Sequence, residues 1–241
     1  MKPRLLVLRS GEGAFSADLA PEFDVMEKRT HDLESLAPEA PAGRFDLVLF
    51  TSAAAVARFL AREDLSALLS GWTDVHAVGP ATAEVLRRRG FSTVREAGGS
   101  ARSLLESLPT QLGGARVLLP RGEDADDELP RGLAARGAQV VPVTLYRKTP
   151  VPREAALDEE IAIRPPAVFF ATSPSAARWF FESAAPGSAR RLLGTPAIAL
   201  GEPTEAALLS YGVKRVEIAR PPTFPAAARL AARLAAAGSP A

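Results

Sequence analysis

An internal repeat limits the folds open to this chain of 241 residues more than any other feature of its sequence. The stretches LVLFTSAAAVARFL at 47–60 and AVFFATSPSAARWFF at 167–181 both run from apolar residues through Thr-Ser into an alanine-rich helical pattern. A second pair is VHAVGPATAEVLRRRGFSTVREA at 75–97 and AIALGEPTEAALLSYGVKRVEIA at 197–219, offset by 122 residues. In each copy of this pair a proline begins a helical pattern and a glycine ends it, as both residue types favour. The chain is therefore expected to contain two copies of one βα arrangement.

A fainter match indicates that the two copies are permuted relative to each other. The stretch RLLVLRSGEG at 4–13 resembles ARVLLPRGED at 115–124, about 111 residues later. In this match the segment at the start of the chain pairs with one that follows the other repeated segments of the second half, so its order is reversed relative to the other matches. The first βα unit of one half therefore corresponds to a late unit of the other half. Insertion of one domain into another explains this order.

The insertion predicts a discontinuous first domain and a continuous second one. The first domain is expected at 1–29 and 153–241, and the inserted domain at 36–146. Two segments, 28–35 and 144–154, then cross between the domains and form a paired hinge.

Ten short apolar segments alternate with helical patterns along the chain, including a helix expected from about Ala14. Near-continuous apolar strands separated by helices are typical of parallel sheets covered on both faces. We predict five such strands in each of two flavodoxin-like, doubly wound parallel sheets, whose ligands bind beyond the carboxyl ends of the strands. The predicted strands are 4–9, 22–27, 45–50, 75–79, 92–96, 115–120, 138–143, 167–171, 197–201 and 214–218.

Composition excludes several classes of function. There are 29 Lys and Arg against 28 Asp and Glu, so no overall charge favours nucleic acid or an anionic membrane. The chain has no cysteine and only two histidines, His31 and His76, which argues against thiolate chemistry and a histidine-rich metal centre. No apolar stretch has the length of a membrane span, and the apolar run after the basic start is too short for a signal peptide. The sequence predicts a cytoplasmic protein without a membrane or nucleic-acid partner.

Small hydroxyl residues recur where the predicted strands give way to helices. They occur in the turns TSAAA, GPATAE, TSPSA, GEPTEA and GGSARS. Serine and threonine at such places are ordinary helix caps. Several of them at one cleft between the two domains would also suit a ligand with many carboxylates or phosphates, because helix starts attract anions.

The chain resembles the uroporphyrinogen-III synthase family over nearly its whole length. The resemblance depends on the two strand-Thr-Ser turns, on VGPATAEVLRRRGF and LGEPTEAALLSYGV, and most specifically on VLLPRGEDADDELPRGLAARGAQVVPVTLYRKTP at 117–150. It implies two flavodoxin-like domains joined by a two-stranded linker. It also implies cyclisation of the linear tetrapyrrole octacarboxylate hydroxymethylbilane, with inversion of its terminal ring, by a monomer without cofactor or metal.

The resemblance assigns roles to particular residues. Tyr146 matches a tyrosine of the family's crossing strand that assists the departure of hydroxide, although it could also be only a packing residue of the hinge. The other matches are to substrate-binding positions, and capping is the alternative for their hydroxyls. These residues are Ser52, Thr82, Ser173, Thr204 and Arg121. The acidic run EDADDE that follows Arg121-Gly122 departs from the family pattern and puts a carboxylate-binding role for that loop in doubt.

Two non-enzymatic alternatives stay open at this point. Two α/β domains around a cleft also suit a hinged small-molecule-binding protein. A regulatory relative that kept the fold and lost the synthase activity would have a similar sequence.

Overall fold

The computed structural model describes residues 1–11, 15, 20–69 and 73–238. The chain divides into two compact units, residues 1–33 with 149–241 and residues 34–148. We call the discontinuous one unit 1 and the continuous one unit 2. The helix expected from about Ala14 falls largely on residues outside the described part of the chain. That each unit folds as an independent domain, with the bounds given above, stays a prediction.

Ten strands and ten helices lie in the described part of the chain. The strands are β1 (Arg4–Ser10), β2 (Asp24–Ser35), β3 (Leu47–Phe50), β4 (Asp74–Ala77), β5 (Arg95–Glu96), β6 (Arg116–Gly122), β7 (Gln139–Pro150), β8 (Val168–Ala171), β9 (Ala197–Ala199) and β10 (Val216–Ile218). The helices are α1 (Ala53–Leu60), α2 (Glu63–Ser66), α3 (Pro80–Arg88), α4 (Ala101–Glu106), α5 (Glu128–Ala135), α6 (Ala155–Ile163), α7 (Pro174–Ser183), α8 (Pro186–Gly194), α9 (Glu202–Ser210) and α10 (Phe224–Gly238).

Strand order shows the permutation that the repeat indicates. Unit 1 has the order β2-β1-β8-β9-β10, which in chain order is the flavodoxin-like 2-1-3-4-5. Unit 2 has the order β7-β6-β3-β4-β5. If its strands are numbered from β6 and β7 and then continue with β3, β4 and β5, this order is the same 2-1-3-4-5. All neighbouring strands within each unit run parallel. The predicted α/β class with parallel sheets is confirmed.

The two crossing segments are strands rather than plain linkers. β2 and β7 are 12 residues each, and both continue from one unit into the other. The Val151 amide donates to the carbonyl of Thr30 in unit 1, at 2.9 Å. In unit 2 the Leu36 amide donates to the carbonyl of Leu145, at 2.8 Å.

Helices α3 and α9 end in the same way in the two units. Gly90 and Gly212 follow their last turns with φ of +92° and +91°, a left-handed conformation that glycine adopts at least cost. In α3 the amides of Gly90 and Phe91 donate to the carbonyls of Arg87 and Leu86. In α9 the amides of Gly212 and Val213 donate to the carbonyls of Leu209 and Leu208. Both ends are Schellman motifs, so the repeat extends to backbone hydrogen bonds.

Side chains of alternating residues cover both faces of the unit 1 sheet, and a buried cluster covers one face of the unit 2 sheet. In unit 1, Leu6 and Leu8 of β1 pack with α7 and α8, whereas Leu5 and Val7 pack with α10 on the opposite face. In unit 2, Leu49 packs with side chains of β6, α4 and α5 in one buried cluster. No helix in the described ranges is both long enough and apolar enough to span a bilayer.

Candidate functional site

The chemistry-bearing residues lie where parallel strands end. Because neighbouring strands of each unit are parallel, their carboxyl ends share one edge of the sheet, which we call the carboxyl edge. The carboxyl edge of unit 2 holds Ser52 after β3, Thr82 in the first turn of α3, Gly122 at the end of β6 and Tyr146 on β7.

Tyr146 is placed by an irregularity in the pairing of β6 with β7. Arg121 lies opposite Thr144, but the next residue, Gly122, lies opposite Tyr146, so one residue of β7 is extra. Beyond this bulge the Glu123 amide donates to the Tyr146 carbonyl at 2.8 Å. The bulge therefore directs Tyr146 over the end of β6.

The ring of Tyr146 packs directly on the backbone of Gly122. A Cβ atom at Gly122 would lie 2.7 and 2.8 Å from two ring carbons and 3.1 Å from the phenol oxygen. Tyr146 is 7% exposed in this position. Only a residue without a side chain leaves room for this ring position.

The phenol group of Tyr146 is hydrogen-bonded to a helix cap. Tyr146 Oη lies 3.1 Å from Ser52 Oγ, and the same serine oxygen accepts from the Ala55 amide at 3.0 Å. The Arg58 guanidinium lies 5.3 Å from the centre of the Tyr146 ring, and its Nε donates to Ser35 Oγ at 3.2 Å. Tyr146 is thus held on one side by a hydroxyl and covered by a cation.

Ser52 and Ser173 are both helix caps, which confirms the capping interpretation for these two residues. Ser173 Oγ accepts from the Ala176 amide at 3.2 Å and lies 3.0 Å from Ser175 Oγ. Ser52 does more than cap, because its oxygen also contacts Tyr146.

For Thr82 and Thr204 the capping interpretation is wrong. The cap positions are occupied by Gly79 and Gly201, and each threonine is the third residue of its helix. The two residues are 4% and 3% exposed. Within the described part of the chain neither hydroxyl takes part in a hydrogen bond. The two threonines thus lie buried at equivalent places of the two carboxyl edges.

Arg121 is occupied by the acidic loop that follows it. Its guanidinium donates to Asp127 Oδ1 at 2.9 Å, to the carbonyl of Asp126 at 3.1 Å and to the carbonyl of Ala125. Lys148 Nζ binds Asp124 of the same loop at 2.8 Å. These contacts would have to be exchanged if Arg121 were to bind a substrate carboxylate. Among the described residues no group of His, Asp and Glu side chains is arranged to hold a metal ion.

His76 is a buried residue of unit 2 whose hydrogen bonding is incomplete. It is 2% exposed on β4, and burial lowers the pKa of its imidazole more than Asp74 raises it. Its Nε2 lies 3.2 Å from Asp74 Oδ2, but neither ring nitrogen has a well-directed hydrogen bond in the described structure. The neutral imidazole is the favoured form at this position.

Sequence reasoning missed two residues of the unit 2 edge. In the sequence Gly122 stands out only as the neighbour of Arg121, and Arg58 is one arginine in the alanine-rich pattern that follows the first Thr-Ser. The sequence signal for Gly122 is its place beside a tyrosine-bearing strand, but the contact depends on the one-residue bulge. For Arg58 the signal is its position six residues after Ser52, on the helix that this serine caps.

These features define a class of protein. Parallel α/β sheets with hydroxyl groups and helix starts at their carboxyl edges are typical of enzymes and binding proteins for small, anionic molecules. The family model for uroporphyrinogen-III synthase HemD matches residues 12–229, and the chain belongs to that family.

Individual relatives agree with this assignment. A protein of Methanothermobacter thermautotrophicus described as "Putative uroporphyrinogen-III synthase" is 34% identical over 155 residues, covering 62% of this chain and 60% of that protein. The match therefore spans less than two thirds of the relative.

Two solved structures have the same fold. The crystal structure of a mutant uroporphyrinogen III synthase from Thermus thermophilus has a TM-score of 0.60 at 23% identity, covering 96% of this chain and 99% of that one. That of uroporphyrinogen-III synthetase from Helicobacter pylori 26695 has a TM-score of 0.62 at 19% identity, covering 97% and 100%.

Proposed function

We propose that this protein is a uroporphyrinogen-III synthase, which cyclises hydroxymethylbilane with inversion of the terminal pyrrole ring and loss of water. The family match over residues 12–229 is the single observation that carries the proposal. The hydrogen-bonded pair of Tyr146 and Ser52 supplies a proton donor of the kind this chemistry uses.

The protein has to contribute little covalent chemistry to this reaction. Loss of the hydroxyl group from the electron-rich terminal unit gives an azafulvene cation. Attack through the substituted carbon of the last ring gives a spiro intermediate, which fragments and recloses with that ring inverted. The enzyme's task is to hold the flexible chain so that this path outruns spontaneous closure, which is mainly positioning.

Tyr146 is the residue to which we assign proton donation. Its phenol gives a proton to the departing hydroxyl group, which leaves as water. The Ser52 hydroxyl, itself fixed by the start of α1, holds Tyr146 Oη in one place. The Tyr146 ring packs on the backbone of Gly122, and the Arg58 guanidinium lies over the ring.

We assign the two buried threonines the role of binding carboxylates of the substrate. Thr82 and Thr204 each offer a hydroxyl near the positive end of a helix. Ser173 offers a second hydroxyl in unit 1. We assign Arg121 a binding role only indirectly, since it fixes the loop beside Tyr146 through the contacts described above.

A cytoplasmic location and a monomeric state are further proposals. Both come from the sequence, as does the proposal that the enzyme acts without a cofactor.

A coupled assay tests the proposed function. Hydroxymethylbilane is generated freshly, the chain is added, and the uroporphyrinogen isomers are oxidised and separated. We expect type III product to form faster than spontaneous closure gives type I. Type I product alone, at the rate measured without the chain, would contradict the activity and favour a binding or regulatory relative.

A further inference from the structure

Arg58 carries a positive charge that the proposed mechanism does not use. The central carbon of its guanidinium lies 5.3 Å from the centre of the Tyr146 ring, which is within the range of a cation–π contact. Its Nε donates to Ser35 Oγ at 3.2 Å, and its Nη1 donates to the carbonyl of Ala54 at 3.4 Å. All of these residues belong to unit 2, and the contacts hold a cation over one face of the phenol ring.

The repeat shows which part of this arrangement is structural. The serines that cap α1 and α7 are equivalent, and six positions after each lies Arg58 in one helix and Trp179 in the other. Each of these two residues donates to the crossing segment of its own unit. Trp179 Nε1 donates to the carbonyl of Val151 at 2.7 Å, as Arg58 does to its serine. A neutral side chain makes this attachment in unit 1, so the attachment alone does not require the charge of Arg58.

The ring-bearing residue near this helix also differs between the units. The bulge between β1 and β2 sets Ser10 opposite His31, and the bulge between β6 and β7 sets Gly122 opposite Tyr146. Unit 2, which has the phenol, has the arginine on its helix. Unit 1, which has the imidazole, has the neutral tryptophan at the equivalent position. The charge therefore accompanies the phenol.

Proton donation leaves a negative charge on Tyr146. In the step assigned to it, the C–O bond of the hydroxymethyl group breaks, its electron pair leaves with the oxygen, and the phenol proton completes a water molecule. The phenol becomes a phenolate, whose charge spreads into the ring that Arg58 faces. When the inverted pyrrole ring recloses, its attacking carbon loses a proton, and that proton restores the phenol. A nearby cation lowers the energy of the phenolate more than that of the neutral phenol.

We propose that the Arg58 guanidinium stabilises the phenolate of Tyr146 while water is lost, so that the reaction depends on its charge and not on its contact with Ser35. The inference rests on the proposed function, because it takes the proton transfer from it. Arg58 acts through Tyr146, which makes it a positioning residue rather than a catalytic one. Its place in the last turn of α1 suits a cation, since the carboxyl end of a helix is its negative end.

Two substitutions separate the charge of Arg58 from its packing. Methionine keeps a long, unbranched side chain on the ring and removes the charge. Lysine keeps the charge but lacks the planar guanidinium. We expect Arg58→Met to lower the kcat of type III formation about ten-fold with KM nearly unchanged, and Arg58→Lys to stay within about three-fold of the wild type. Thermal unfolding of both variants should stay close to that of the wild type.

The same substitution in the Tyr146→Phe background tests whether the charge acts on the phenolate. Phenylalanine keeps the ring face that a cation contacts, but it has no proton to donate. We therefore expect Arg58→Met to change kcat by less than about two-fold in that background, so the two effects are not additive. Ser35→Ala is the control for the attachment, and it should leave the wild-type kcat nearly unchanged.

Two results would overturn the inference on Arg58 alone, in an active wild type that Tyr146→Phe slows. One is a loss from Arg58→Met that is equally large in Tyr146→Phe, because the guanidinium would then only pack on the ring. The other is a fully active Arg58→Met, with or without impairment of Arg58→Lys, because the charge would then have no part in the reaction. Failure of the proposed function has a separate signature, since the wild type then forms no type III product at all.

Discussion

The two carboxyl edges share a skeleton and differ in the residue pair at their bulges. Both have a capping serine after one strand and a buried threonine in the third position of the helix that follows the neighbouring strand. At the bulge, unit 2 has Gly122 with Tyr146, whereas unit 1 has Ser10 with His31. The comparison indicates that the repeat places hydroxyl residues at equivalent positions in the two units, whereas the residues at the bulge differ between them.

The units also differ in how they hold the chain that enters and leaves them. In unit 1 the Arg153 guanidinium pairs with Asp158 at 2.8 Å and lies 4.5 Å from the centre of the Phe180 ring, and Trp179 Nε1 donates to the Val151 carbonyl at 2.7 Å. In unit 2 Arg147 forms two hydrogen bonds of 2.8 Å with Glu34 in an exposed setting. Burial, rather than the number of hydrogen bonds, distinguishes the two attachments.

The largest expected effect is on stability, at the buried attachment. The Arg153 side chain is 7% exposed and that of Asp158 is 21% exposed. Arg153→Ala leaves the Asp158 carboxylate without its ion pair, and we expect a loss of about 3 kcal/mol in the free energy of unfolding by urea. Arg147→Ala is the matched control, and it should leave the urea midpoint nearly unchanged because that pair is exposed. Equal losses from the two variants would contradict the distinction between the attachments.

The same pair predicts a pH dependence. Burial alone raises the pKa of the Asp158 carboxyl, but hydrogen bonds from Arg153, Ser188 and the Ala185 amide, together with the charge of Arg153, outweigh it, so the pKa lies below the ordinary value of 3.8. A carboxyl whose folded pKa is lowered stabilises the protein above its unfolded pKa and loses that contribution as the pH falls through the folded value. The stability difference between the wild type and Arg153→Ala should therefore be full at neutral pH and shrink below about pH 4. A difference that is constant down to about pH 2 would exclude this pair as its source.

Gly122→Ala should have the largest effect on activity. The added methyl group would meet the Tyr146 ring at 2.7 Å and push it away from Ser52. A displacement of about 1 Å at a catalytic group costs about 100-fold in rate, which we expect for type III formation. Gly187→Ala is the control, because a Cβ there meets nothing within 4 Å. A Gly122→Ala enzyme with wild-type activity would refute the role of Gly122 in placing the ring.

Tyr146→Phe should have a smaller effect, because the ring stays on Gly122 and only the hydroxyl is lost. We expect type III formation to slow by about 10- to 100-fold, near or below the low end for one general acid, since electron-rich pyrroles expel the hydroxyl group readily. The product should shift toward type I as spontaneous closure competes. Chromatographic separation of the isomers measures both effects. Wild-type rate and pure type III product would remove Tyr146 from the mechanism.

The threonines should have the smallest effect and should resemble one another. Thr82→Val and Thr204→Val keep the shape of the side chain and remove only the hydroxyl. We expect each to raise KM by less than about ten-fold, the contribution of a single hydrogen bond. A loss of about 100-fold in one variant and none in the other, far beyond one hydrogen bond, would break the equivalence of the two edges.

Much of the fold could be predicted because the repeat indicates where the strands lie and where the helices end. The apolar runs at 47–50 and 168–171 and the glycines at 90 and 212 have direct physical consequences for strands and helix ends. The lengths of β2 and β7 could not be predicted in the same way, because their crossing halves are mostly polar and lack an apolar period. β5 is shorter than the strand predicted at 92–96. It consists of two exposed residues, Arg95 and Glu96, at the end of the strand order.

The site was less predictable than the fold. Ser52 and Ser173 follow from the position of serine before a helix. Thr82 was harder to place, because glycine rather than threonine turned out to cap its helix. The contact of Gly122 with Tyr146 depends on a bulge, and one extra residue changes which side chains lie opposite one another. No local sequence pattern gives that register.

The register of β1 has a consequence for the synthesis of the protein. Leu5 pairs with Val168, 163 residues further along the chain, whereas unit 2 is a continuous segment that is complete by residue 148. A ribosome therefore releases all of unit 2 before β1 meets its partner on that side. At cellular rates of elongation the apolar edge of β1 waits roughly 10 to 30 seconds. Although β1 pairs with β2 early, its other edge is among the last strand edges to be paired, and during that interval this edge is open to capture by a chaperone or by another copy of the chain.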